Sequence, residues 1–359
     1  MRAAVCRAHG QPLSVEEIAV ADPAAAEVRV NISVCAICHS DIHFAAGAWG
    51  GDVPVIFGHE AAGVVESVGV GVTSVAPGDR VIVGLLRTCG ACFYCVRGED
   101  NLCVGVFDQP SPFTGTDGRP IARGLKTGAF AEQTVVHESQ VVQVPDDVPL
   151  APAALLACGV LTGFGAVSNT AAMPSGSTAA VIGVGGVGLG AVQAAVQAGS
   201  TRIVAIDVVD EKLEIAEQFG ATHSINGSVA DPAGLLGDLT DGVGPDYVFV
   251  TVGAKPAIDQ ALSMVRPGGT VVLVGMPPLG VMTEFETVMF SDRSQRIIGS
   301  KMGSARMSVD VPRLIELYRA GSLHLDEMIS NRYGIEQINE AVAEVERGSV
   351  IRNVISFER

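Results

Sequence analysis

The stretch TAAVIGVGGVGLGAVQAAVQAG, residues 178–199, decides the fold. It opens as an apolar strand-like run and closes as an Ala- and Val-rich segment of helical type, with GVGGVG at 183–188 between them. Gly183 permits a tight turn, Gly185 and Gly186 leave the backbone open to close approach, and Gly188 lets helix and strand touch. The N–H groups at the start of that helix have no helical partner and favour a bound anion. A glycine pattern is weak by itself; a strand before it and a helix after it make it a dinucleotide-binding signature.

Downstream the period continues as strand, helix, strand. RIVAIDV (202–208) is followed by DEKLEIAEQFG (210–220), then PDYVFVTVG (245–253), the helix candidate KPAIDQALSMVRPGG (255–269) and GGTVVLVGM (268–276). These predict a parallel, doubly wound Rossmann unit over 161–299. Asp207 ends the second strand 19 residues past Gly188, where a carboxylate can accept from both adenosine ribose hydroxyls and repel a 2′-phosphate. Val208 and Val209 follow it rather than Arg, so NAD is expected over NADP.

Upstream, to about Val144, the chain reads as short β-rich runs split by Gly, Pro and Asp: EVRVNISVCAIC (27–38), AAGVVESVGVGV (61–72), DRVIVGL (79–85) and AEQTVVHESQVVQV (131–144). An irregular β-domain is expected over 1–160. The tail, with helix candidates VDVPRLIELYRAG and IEQINEAVAEVERG and a last strand VIRNVISF, is expected to rejoin it over 300–359.

Composition narrows the function. The 359 residues are 48% hydrophobic, and Lys plus Arg number 23 against 39 Asp plus Glu, a net charge of -16 that disfavours nucleic acid and anionic membrane surfaces. From Val148 to Thr201 there is no charged residue or histidine, yet Pro149, Pro152, Pro174 and the polar run Ser168–Thr170 interrupt it, so a buried segment between domains is expected rather than a membrane span. The N-terminal sequence has no basic leader with an apolar run, so a cytoplasmic location is expected.

Cys89, Cys92, Cys95 and Cys103 lie within 15 residues, close enough for four thiolates to meet at one tetrahedral ion. Zinc suits four sulfurs, and a closed shell of this kind is structural, because it leaves no place for a substrate. An iron-sulfur cluster is the less favoured alternative. Spacing cannot join the remaining groups, in CHSDIH (38–43), GHEAAG (58–63) and ACGVLTG (157–163).

In this order, around the four-cysteine cluster and ahead of GVGGVG, those motifs resemble the zinc-dependent medium-chain alcohol dehydrogenases over essentially the whole chain. The resemblance implies a GroES-like β-domain with two zinc ions per subunit, a Rossmann domain for NAD, and an active site in the cleft between them. It implies that Cys38, His59 and Cys158 hold a catalytic zinc with a fourth position left for water or substrate. Glu60 resembles the carboxylate near that zinc, and Asp41 a partner of one of its ligands. Ser40 resembles the hydroxyl that takes the substrate proton, and His43 the outer end of the relay. His39 and Arg352 match basic positions on the coenzyme pyrophosphate; Thr162, Val187, Val274 and Met276 match the nicotinamide pocket, and Lys212 an adenosine-ribose contact. Trp49 and Leu85 fall where the family lines its substrate channel.

The implied reaction is reversible hydride transfer between a primary or secondary alcohol and NAD, in a homodimer or homotetramer. The 54 residues between Cys103 and Cys158, including FTGTDGRPIARGLKTGAFAEQTVV, resemble the longer formaldehyde dehydrogenase branch, which acts on thiol adducts of glutathione or mycothiol type. That branch places a basic residue shortly after the fourth structural cysteine. Here Val104, Gly105, Val106 and Phe107 stand there. A third reading, of another class, is a non-catalytic NAD- and zinc-binding sensor.

Overall fold

The computed structural model describes residues 1–357. It divides into two units: residues 1–159 with 306 onward, and Val160–Ala305. The second boundary falls six residues beyond the 299 read from sequence, because residues 300–305 stay with the second unit. There Thr170 Oγ1 hydrogen-bonds the hydroxyls of Ser300 and Ser304, 2.8 Å each.

The first unit is built mainly of antiparallel β-structure. Strands β1 (Arg2–Cys6), β2 (Ser14–Val20), β4 (Val55–Ile56), β7 (Phe113–Gly115) and β8 (Pro120–Arg123) close into a small barrel. Beside it runs a sheet of β3 (Glu27–Ala36), β5 (Glu60–Val68), β6 (Arg80–Val83), β9 (Gln133–His137) and β10 (Val141–Gln143), completed from the chain's end by β17 (Ile329–Tyr333) and β18 (Arg352–Ser356). Among the described residues of this unit, parallel pairs occur only at β4–β8 and β17–β18. Phe113, Phe130, Ile37, Ile56 and Ile121 are fully buried in the core of this unit. Helix α10 (Ile338–Arg347) buries Ile338, Ala341 and Val345, spaced to share one face, and ends at Gly348, whose φ of 71° only glycine adopts without strain.

The pairing of β3 sets the functional geometry. Glu60 opens β5 directly opposite Ala36, and on the other side of β3 the last strand pairs Val354 with Ala36 and Ile355 with Cys35. The chain leaving β3 reaches Cys38 and turns into the short helix α1 (His39–Ala45). Residues from three distant parts of the sequence thus meet at one end of the sheet.

The second unit is a six-stranded parallel sheet, in the order β13 (His223–Asn226), β12 (Arg202–Asp207), β11 (Thr178–Ile182), β14 (Tyr247–Val250), β15 (Thr270–Leu273), β16 (Arg296–Gly299). The order reverses between β11 and β14, the point where such sheets take ligands, and GVGGVG follows β11 there into helix α4 (Gly186–Gln197). The apolar stretch from Val148 contains helix α2 (Leu150–Ala154) and, after a break at Cys158, helix α3 (Gly159–Gly165). Among the described residues no single helix is long and apolar enough to cross a membrane.

Candidate active site

Four buried side chains converge in the first unit. One ligand-type atom from each of Cys38, His59, Glu60 and Cys158 lies within 4.8 Å of all the others. His59 and Glu60 are completely buried, and Cys38 and Cys158 nearly so. His59 Nε2 and Glu60 Oε2 have no hydrogen-bond partner, although each is shut away from water. Unpaired buried polar atoms are costly, and two of them beside two thiols form a donor set that a zinc ion satisfies.

Each donor is fixed from behind. Cys38 precedes α1, and Asp41 of that helix's first turn accepts from the Cys38 N–H at 3.2 Å, from the Gly58 N–H at 2.9 Å and from His59 Nδ1–H at 2.9 Å. A single carboxylate thereby fixes two donors and selects the His59 tautomer whose Nε2 is free to ligate. The proton balance fits the same role. The hydrogen bond from Cys158, against burial and with help from His59, holds the Cys38 thiol well below its ordinary value, while that bond and burial push Cys158 well above. Burial opposes charge on His59, but Asp41 and Cys38 outweigh it and raise its pKa. A divalent cation offers every donor the positive charge that these protons now share.

Arg352 stands here too. The residue is 3% exposed, and its guanidinium places Nη2 3.3 Å from Glu60 Oε1, which also accepts from the Gly159 N–H at 2.9 Å. Burial lifts the Glu60 carboxyl to about 7, with Arg352 pulling the other way. The sequence reading put Arg352 on the coenzyme pyrophosphate. In the structure its guanidinium lies against Glu60. No local pattern joins residues 292 positions apart, so this pair could not be read from sequence.

The second group, Cys89, Cys92, Cys95 and Cys103, also brings its four sulfurs within 4.8 Å of one another, but only partly buried. Backbone N–H groups of Cys89 and Gly105 point at the Cys103 sulfur, and that of Cys92 at the Cys89 sulfur, each 3.3 Å away. Backbone donation lowers the Cys92 thiol to about 6, while burial and its sulfur neighbours push Cys95 to about 12. None of the eight cysteines forms a disulfide.

In the second unit the glycine loop has the shape its spacing requires. Gly183 has φ 86°, and a Cβ at Gly188 would lie 1.9 Å from the Gly183 carbonyl. A Cβ at Gly185 would meet nothing within 4 Å, so the protein leaves the space over that residue open, as a cradle for a pyrophosphate needs. Asp207 accepts from the Val184 N–H at 2.8 Å and from the Val208 N–H at 2.8 Å, tying the loop to the strand end. Val187 lies in the first turn of α4, and Lys212 in helix α5 (Asp210–Gln218). Thr162 and Val274 are buried, whereas Met276 is exposed.

Of the remaining expected residues, Ser40 and His43 lie three apart on α1, so they share a face. His39 is exposed at the start of that helix, and Leu85 is half-buried after β6. The Trp49 ring packs against His43 at 5.1 Å and edge-on to Phe44 at 5.0 Å. A cavity of 270 Å³ adjoins α1 at Asp41, Ile42, Ala45 and Ala46; Cys38, His59, Glu60 and Cys158 do not line it.

A GroES-like β-unit holding a buried sulfur and nitrogen donor set, with a Rossmann unit following it, defines the zinc-dependent medium-chain dehydrogenases, and this chain belongs to their alcohol dehydrogenase family. Residues 24–146 match the alcohol dehydrogenase GroES-like domain and residues 186–320 the zinc-binding dehydrogenase domain. The chain is 35% identical to the NDMA-dependent alcohol dehydrogenase of Amycolatopsis methanolica, covering 99% of this chain and 98% of that one. It is 37% identical to a probable S-(hydroxymethyl)glutathione dehydrogenase of Schizosaccharomyces pombe, covering 100% and 97%. Among solved structures, benzyl alcohol dehydrogenase from Acinetobacter calcoaceticus superposes with a TM-score of 0.93 at 28% identity, over 99% of each chain. The activity is that of a zinc alcohol dehydrogenase working with a nicotinamide coenzyme.

Proposed function

We propose that this chain oxidises small apolar primary or secondary alcohols to aldehydes or ketones with NAD, reversibly, using two zinc ions per chain. The observation that carries this reading is the buried donor set of Cys38, His59 and Cys158, with His59 Nε2 unpartnered. A zinc ion held there supplies a Lewis acid that lowers the pKa of an alcohol hydroxyl. Ser40 takes the hydroxyl proton and His43, near the protein surface, passes it to solvent, while the carbon gives up its hydride to the coenzyme. Thr162, Val187, Val274 and Met276 contact the nicotinamide, His39 the pyrophosphate and Lys212 the ribose. Asp207 favours NAD, since a 2′-phosphate would meet its carboxylate. Trp49 and Leu85 form apolar walls for the substrate. Cys89, Cys92, Cys95 and Cys103 hold the structural zinc.

That none of the eight cysteines is in a disulfide suits a reducing, cytoplasmic setting. A homo-oligomer is supported by the second unit: Met276, Leu279, Met282, Phe285 and Val288 are exposed by 45–77% in the segment leading to β16, an edge strand of the sheet. Such a patch beside an open strand edge suits a twofold contact with a second copy.

The deciding experiment is an alcohol panel supplied with NAD, NADP or NDMA, before and after chelation. NAD-linked turnover of apolar alcohols, abolished by chelation, is expected. Binding of NAD with no turnover on any member would make the chain a sensor. The likeness to the Schizosaccharomyces pombe enzyme makes S-hydroxymethylglutathione the member to add, and faster turnover of it than of any simple alcohol would favour the thiol-adduct reading.

A further inference from the structure

Gly159 follows Cys158 directly, as Glu60 follows His59, and the Gly159 N–H bonds to Glu60 Oε1. Its backbone does not need glycine: φ lies outside the left-handed region, and it is the first residue of α3, where propensity favours alanine. The surrounding space explains it. A Cβ on residue 159 would stand 2.2 Å from Arg352 Nη2, 3.1 Å from its Cζ and 3.1 Å from Glu60 Oε1. On a surface an arginine end would swing aside. Here the Arg352 side chain is 4% exposed, its partner carboxylate is fully buried, and β18 fixes its backbone against β3.

We infer that Gly159 is a positioning residue: the guanidinium of Arg352 occupies the place of its missing side chain, and this fit sets where the Glu60 carboxylate stands among the metal-ligand candidates. A methyl group at 159 has to displace the guanidinium by roughly 1 Å to restore van der Waals distance. Glu60 Oε1 then loses one of its two partners while Oε2 already has none. The carboxylate is left to move toward the charge of a metal ion held by Cys38, His59 and Cys158. The inference rests on the proposed metal site, and its test separates the two.

The experiment is a cycle of Gly159→Ala, Arg352→Lys and the double variant, because lysine lacks the fork that carries Nη2. Three quantities are read: kcat and KM for a turned-over alcohol, the visible spectrum of the cobalt-substituted protein, and thermal unfolding of the metal-free protein. Gly159→Ala should lower kcat about 10- to 100-fold, the range for groups that orient metal ligands. KM should stay within about threefold of the starting value, and the cobalt bands should shift. On the Arg352→Lys background the same substitution should change neither kcat nor the spectrum, and the metal-free Tm should show the same rescue. Equal effects on both backgrounds, or wild-type kcat and spectrum for Gly159→Ala, would overturn the inference. Should Gly159→Ala fail to fold, recovery of soluble protein by Arg352→Lys supports it and failure to recover refutes it. A wild-type protein that takes no metal at the cluster refutes the proposed site alone, since the metal-free Tm cycle still reports the steric fit.

Discussion

The two cysteine-containing clusters use the same chemistry and are built in opposite ways. Cys89, Cys92, Cys95 and Cys103 come from one short lobe, lie partly in solvent and receive hydrogen bonds mainly from their own backbone. Cys38, His59 and Cys158 come from three remote segments and are buried, with Asp41 hydrogen-bonded to Cys38 and His59, and with Arg352 and Gly159 hydrogen-bonded to their neighbour Glu60. A local set needs only its own turn to form. A distributed set needs the whole β-unit folded first, and it can therefore be shaped with one position left open for a substrate oxygen. Stability and catalysis should divide between them accordingly.

The largest effect should come from exchanging damage between the clusters. His59→Ala removes the orienting nitrogen, and activity should fall by about 1,000-fold or more, since a Lewis acid contributes several kcal/mol to the barrier and each 1.36 kcal/mol is tenfold. Elemental analysis should show about one zinc lost and one kept. Cys95→Ala should also cost one zinc, but should show itself chiefly as a fall in Tm, with most of the activity per folded molecule remaining. Equal loss of activity in both variants would erase the distinction.

Asp41→Asn sharpens it by a smaller step. Asparagine cannot accept from the Cys38, Gly58 and His59 N–H groups at once, because one of its two polar ends is itself a donor. Zinc affinity at the buried set or turnover should fall about 10- to 100-fold, read by competition with a chelator and by initial rates. Retention of both values would reduce Asp41 to a helix-capping role. The smallest effect is expected in the second unit. Asp207→Gly should raise the NADP-to-NAD ratio of kcat/KM by about tenfold, the worth of hydrogen bonds to a charged group. It should also loosen the glycine loop, since the Val184 N–H loses its acceptor. An unchanged ratio means that another residue reads the ribose.

What could be read in advance follows the same division. The four-cysteine lobe is carried by contiguous residues at ligand spacing, and the glycine loop by its spacing together with the strand and helix on either side, so both were legible in the sequence. So was the strand-helix period from Thr178 to Leu273, where apolar strands alternate with helices closed by glycine. Strand β13, HSIN, carried no such signal: it is short, polar and at the sheet edge. Nor did helix α6 (Pro232–Leu239), with two glycines within it, although Asp231 caps its start and Pro232 stands at its first position. The distributed donor set was reached only through family resemblance, because nothing in the chain near Cys38 names His59 or Cys158. The pairing of Glu60 with Arg352 and the need for glycine at 159 lay beyond even that, since both follow from the register of the last strand on β3.

Anomalous diffraction at the zinc edge from crystals of the intact protein tests the central claim most directly. Two peaks per chain are expected, one among the four clustered cysteines and one at roughly 2.0–2.3 Å from His59 Nε2 and the sulfurs of Cys38 and Cys158. A single peak in the cysteine lobe, with no metal between His59 and those two sulfurs in zinc-replete protein, would contradict it.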